Sequence, residues 1–131
     1  MTGKLPLLRP RWMMHLMTLA LAVLVCAPAW AGKADVVDAE VGVLGDGRIQ
    51  VSATIRHADS GWDHYADQFE VLDGEGNVIE TRELLHPHVD EQPFTRSTQP
   101  FTTPVGTDIL IVRARDSRHG YGGKELTLPV P

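Results

Sequence analysis

From Ala34 to the end of the chain, apolar residues recur at every second position rather than every third or fourth. Successive side chains of an extended strand point to opposite faces, whereas a helix repeats every 3.6 residues, so this period predicts half-buried strands and argues against amphipathic helices. Val37, Ala39, Val41 and Val43 alternate with Asp38, Glu40 and Gly42; after a turn at Gly45, Asp46 and Gly47, Ile49, Val51, Ala53 and Ile55 alternate with Gln50, Ser52, Thr54 and Arg56. The short Gly/Asp connection joins these two runs as a hairpin. Further strands are expected over 66–73, with Phe69 and Val71 inward, and over 78–85, 94–103, 107–116 and 124–130. Pro100 cannot donate to a ladder, which makes 94–103 an edge strand. Ile109, Leu110, Ile111 and Val112 are apolar on both parities, which suits a central strand near the middle of the core. Seven short strands in one small domain predict an all-β fold, a seven-stranded immunoglobulin/fibronectin-III-like β-sandwich; a small barrel is the alternative.

The N-terminal part has a different character. Of the 131 residues, the first 31 carry Lys4, Arg9 and Arg11 and no acid, followed by an apolar run over 16–25 and an Ala29, Trp30, Ala31 site. A basic region, a short apolar core and small residues at −3 and −1 are the order of a secretory signal peptide. Cleavage after Ala31 is expected, giving a signal over 1–31 and a β-sandwich domain over 32–131, periplasmic or secreted. The alternative is an uncleaved segment anchored in the inner membrane, against which Pro28 interrupts the apolar stretch. Lipid attachment at Cys26 is disfavoured because Val25, not a small residue, precedes it.

Residues 32–131 hold nine Lys/Arg against 17 Asp/Glu, a formal charge of −8. Such a body lacks the clustered cations that displace counterions from nucleic acid or anionic lipid, so neither partner is expected after signal cleavage. Cys26 and all four methionines precede residue 32, which leaves the domain without sulfur. It therefore has no disulfide, thiol nucleophile or thiolate metal site, and its core alone must hold it together.

In an immunoglobulin-type chain path, the loop after the second strand, the end of the fourth strand and the loop after the sixth all reach one pole. That pole would collect His57, His64, His86, His88 and His119, with Asp59, Asp63, Asp90, Glu91 and Asp116 nearby. Imidazoles with carboxylates and no sulfur suit Cu(II), Zn(II) or Ni(II). The His86-x-His88 spacing places both rings on one face if the segment stays extended, so these two are the expected leading metal ligands, with His57 and His64 in support. The competing reading makes them loop histidines that bond the backbone, and His57, which shares the parity of Ile55, a cap on the core.

Trp62, the one tryptophan of the domain, either lids the end of the core or stacks on a partner. Arg82, Arg96, Arg113 and Arg115 are expected to pair with carboxylates across strands. Gly120, Gly122 and Gly123 suit a tight turn. Asp59, Asp63 and Asp67 lack the glycine and terminal glutamate of an EF-hand loop. No Gly-x-Ser-x-Gly elbow surrounds Ser60, and Glu91 is the one ready general base for a metal hydrolase; no enzymatic activity is expected.

Three segments resemble small, uncharacterised exported proteins of Gram-negative bacteria: His57 to Asp67 (His-Ala-Asp-Ser-Gly-Trp-Asp-His-Tyr-Ala-Asp), Leu84 to Arg96 (Leu-Leu-His-Pro-His-Val-Asp-Glu-Gln-Pro-Phe-Thr-Arg) and Arg113 to Lys124 (Arg-Ala-Arg-Asp-Ser-Arg-His-Gly-Tyr-Gly-Gly-Lys). The resemblance implies a compartment and assigns no residue a role. Together these readings predict a non-enzymatic binding protein that takes copper or zinc at a His-rich pole. The rival is a protein-interaction module of the cell envelope, engaging a protein partner through Trp62, Tyr65, His119 and Tyr121, with Phe94 beside them, and needing no metal.

Overall fold

A computed structural model of the chain describes residues 2–3 and 32–131. The basic region, apolar run, Cys26 and cleavage site read in the first 31 residues lie outside the described residues. Among the described residues no helix is long and apolar enough to cross a membrane.

Seven strands follow in chain order: β1 (Asp35–Val43), β2 (Ile49–Arg56), β3 (Ala66–Leu72), β4 (Val78–Glu83), β5 (Phe94–Ser97), β6 (Ile109–Asp116) and β7 (Leu126–Pro129). They form two antiparallel sheets, β1-β2-β5 and β4-β3-β6-β7, which is a β-sandwich. The inward residues of both sheets meet in one core: Val51, Ala53, Ile55 and Phe94 from the first, Phe69, Val71, Leu110, Val112 and Ala114 from the second. Alternation delivers this burial directly. In β2 every second residue from Ile49 to Ile55 is buried, and in β6 Leu110, Val112, Ala114 and Asp116 are. Strand β6 is an interior strand of its sheet, between β3 and β7, but only one parity of its apolar run is buried: Ile109 is exposed and Ile111 half-buried.

Strand ends differ from the sequence expectation where local chemistry intervenes. Strand β5 stops at Ser97, before Pro100, and β4 stops at Glu83. In β1 the ladder with β2 is bulged between Val36 and Asp38. The extra residue switches parity, so Val36, not Val37, is fully buried. Upstream of the bulge the chain also reaches the other sheet: the Val36 amide donates to the Lys124 carbonyl at 2.9 Å, and Asp35 Oδ1 accepts from the Lys124 amide at 2.6 Å. Strand β1 thus begins as a seam between the sheets and ends as an edge of the first.

The segment before β1 is packed tightly into the same corner. Ala34 is fully buried, and a Cβ on Gly123 would overlap the Ala34 carbonyl oxygen, so only glycine permits this approach.

Candidate metal centre

The loop after β2 starts with His57, which continues the inward parity of Ile55 and is 3% exposed. Gly61, at φ +145°, lets the chain reverse: the Ser60 amide donates to the His64 carbonyl and the His64 amide to the Gly61 carbonyl. This narrow turn lifts Trp62 and Asp63 outward and returns the His64 ring to within 4.8 Å of the His57 ring, edge to face. The second loop begins at Asp116, the last inward residue of β6, 1% exposed. Its Oδ1 accepts from the Arg118 and His119 amides at 2.8 and 2.6 Å, a side-chain-capped turn closed by Gly120 at φ +72°. His119 is thereby folded back, its Nδ1 3.1 Å from Asp116 Oδ1 and its ring 4.9 Å from that of His64. The Ser117 amide donates to the Tyr65 carbonyl, and Arg118 Nε to the Asp63 carbonyl, tying the two loops together.

Asp59 anchors the pole. Its Oδ1 bonds His57 Nδ1 at 2.6 Å and accepts the Ala66 amide at 2.9 Å, while Oδ2 accepts the His88 amide at 2.7 Å. Burial pushes this carboxyl up, but the hydrogen bonds from His57, His88 and Ala66 more than reverse that and hold it below its ordinary value. Burial likewise pushes the His57 imidazole down, and the hydrogen bond and charge of Asp59, with the charge of Asp116, carry it above the usual histidine range. With Nδ1 committed to Asp59, His57 has Nε2 left for any other partner. That nitrogen lies 3.1 Å from the Gly32 carbonyl oxygen and 4.0 Å from Asp116 Oδ2.

Two buried atoms at this point have no hydrogen-bond partner, His64 Nε2 and Asp116 Oδ2. His64 Nε2 is 3.4 Å from Asp116 Oδ1, beyond good alignment. One ligand atom from each of His57, His64 and Asp116 lies within 4.8 Å of the other two. Ligands about 2.1 Å from a tetrahedral Zn(II) stand roughly 3.4 Å apart, so the three side chains stand somewhat farther apart than bound ligands would. His119, exposed at the rim, lies beside the cluster through its contact with Asp116 Oδ1.

All five histidines of the domain fall at one pole, but not in one constellation. The expected chelate of His86 and His88 needs an extended strand, and β4 ends before it. The two rings instead lie tilted at 4.6 Å, and the His88 ring stacks on Phe94 at 3.8 Å. Arg96 Nη2 sits 2.9 Å from His88 Nε2; a guanidinium only donates, so this nitrogen accepts and has no lone pair to spare. His57 and His64 are brought together with Asp116 and His119. Asp116 carried a legible signal, a carboxylate on the buried parity of a core strand.

The remaining candidates separate cleanly. Arg113 pairs with Glu70 at 2.8 Å and Arg115 with Asp67 at 3.0 Å, as cross-strand pairing predicts. Arg82 does not: it stands opposite Phe69, and its buried Nε has no partner. Trp62 is 69% exposed, so it lids no core and rests edge-on against Tyr65. Phe94 is core, and Tyr121 lies beneath Arg113 with its hydroxyl contacted by Gln68. Burial, with Glu70 beside it, pushes the Tyr121 hydroxyl up to about 12. Asp59, Asp63 and Asp67 face separate partners and form no calcium loop.

No family model matches the chain. No solved structure matches it. It is 40% identical over 96 residues to a protein of Halomicrobium mukohataei named "Putative lipoprotein", an alignment covering 73% of this chain and 47% of that one. The chain spans about half the length of this relative. The relative is archaeal, so the Gram-negative origin read in the sequence is not supported by it.

Proposed function

We propose that the protein is an exported, non-enzymatic binding module of the cell envelope that holds one divalent transition metal, zinc or copper, at His57, His64 and Asp116, with His119 as the rim ligand. The observation that carries this reading is the pair of buried, unpartnered atoms, His64 Nε2 and Asp116 Oδ2, in a cluster where His57, His64 and Asp116 each bring a ligand atom within 4.8 Å of the others. Buried polar groups without partners are rare in folded proteins, and an ion is one of the few occupants that satisfies an imidazole and a carboxylate together. Export is supported by the leader sequence, and envelope attachment by the name of the archaeal relative.

The test is calorimetric titration of metal-free protein with Zn(II) and Cu(II). Stoichiometric binding that weakens at least about 10-fold in His64→Ala and in Asp116→Asn, and is unchanged in His86→Ala, is the expected result. Protein that ignores both ions overturns the assignment. Retained affinity in the first two variants with loss in the third would return the site to His86 and His88.

One observation favours a second reading. Trp62, Leu85 and Val89 are more than half exposed on the loops of the same pole, an apolar surface suited to a protein partner. Such a partner would stay bound in the presence of chelator.

A further inference from the structure

His57 Nε2 has one position to give, and the backbone just ahead of β1 occupies it. The Gly32 carbonyl lies 3.1 Å from that nitrogen, and the other ring nitrogen is committed to Asp59 at 2.6 Å. A metal ion that took Nε2 would remove the hydrogen that Gly32 accepts. We propose that metal occupancy and docking of the Gly32–Ala34 strap are mutually exclusive at His57, so that ion binding releases the strap. The proposal rests on the metal reading above and adds a consequence that this reading does not require.

The geometry gives the strap both a hold and somewhere to go. It is held by the Gly32 contact to His57, by burial of Ala34 under Gly123, and by the Lys33 side chain lying over Gly122. Beyond it the Asp35 and Val36 bonds to Lys124 belong to β1 and remain fixed. Beside the strap is an open cleft of about 320 Å³, lined by Gly32, Lys33, Arg56, His57, Gly122 and Gly123, which gives Gly32 and Lys33 room to move, while release of Ala34 withdraws a buried methyl from the core. Both loops that supply metal ligands also grip the strap, one through His57 and the other through the glycines that follow His119. An ion that draws His57, His64 and Asp116 inward acts on that grip from both sides.

Mutual exclusion is reciprocal: if the ion expels the strap, loosening the strap must tighten the ion by the same factor. Hydrogen exchange on the full chain with and without saturating Zn(II) tests the first half. Faster exchange at residues 33 and 34, alongside slower exchange in the 57–64 and 116–120 loops, is the expected pattern. Slowed loops with an unchanged or slowed strap overturn the inference and leave the metal reading standing. Loops that do not respond, in protein that binds no zinc, remove both. The second half uses Gly123→Ala, which crowds the Ala34 carbonyl and, less closely, Asp35 Oδ1, and touches no proposed ligand; zinc affinity is expected to rise by about 5-fold or more. Unchanged affinity in a folded variant contradicts the coupling, and if the variant does not fold, the exchange comparison on the natural chain still decides.

Discussion

Asp59 does more for the pole than any residue proposed as a ligand. It satisfies an imidazole and two backbone amides from three different segments, all shielded from water. Removing it leaves each of these donors buried and unpaired, at about 1–3 kcal/mol apiece. Asp59→Ala is therefore expected to cost about 3 kcal/mol or more in chemical denaturation, and to loosen the His88 segment as well as His57. Asp63 is the control. Its carboxylate meets Arg118 at 3.3 Å in the open, where ion pairs contribute little, and Asp63→Ala should change stability by less than about 0.5 kcal/mol. A comparable loss in both variants would mean that Asp59 is not the anchor its bonds describe.

At the scale of elements, the seven strands and their pairing into a sandwich were legible because a period of two leaves the chain few alternatives. What escaped was everything set by contacts distant in sequence. The bulge that turns Val36 inward in place of Val37 depends on Lys124, far along the chain, and no local pattern announces it. The histidine pole followed from topology, but its division did not: His88 is taken by Phe94 and Arg96, whose approach depends on where β4 stops and β5 begins. Asp116 was visible as a carboxylate in a buried register, yet its turn with His119 needs coordinates to be seen. Gly123 was legible as a turn glycine for the wrong reason. Its φ is not positive, and it is glycine because β1's entering segment presses on it. Gly123→Ala should consequently cost about 1–3 kcal/mol through steric crowding, while Gly45→Ala, which meets nothing within 4 Å, should be neutral in thermal unfolding. Equal effects would argue that the approach of the two segments relaxes freely.

For the whole molecule, the pole makes stability a function of pH in two opposed directions. His57 sits above its unfolded value of 6.5, so its stabilisation is complete below that pH and is lost as pH rises through the folded value. His88 is pushed the other way, first by burial and then by Arg96 and His86; its stabilisation is present above 6.5 and is lost as pH falls through its lowered value. Asp59 and Asp116, held below 3.8, add a further loss at still lower pH. Metal-free protein should therefore show a stability maximum with a decline on the alkaline side, and His57→Gln should abolish that decline; a variant that keeps the natural alkaline slope would refute the assignment to His57. The start of β1, paired with β2 and bonded to Lys124 ahead of β7, also has a mechanical meaning. A pull along the strand axis from the N-terminal end of β1 acts on the Val36–Lys124 bond and on all eight register pairs between β1 and β2 in shear, because ladder bonds lie across the strand direction. Bonds loaded together share the force, whereas bonds opened one at a time do not, so a load applied there falls on the part of the fold best arranged to resist being drawn apart.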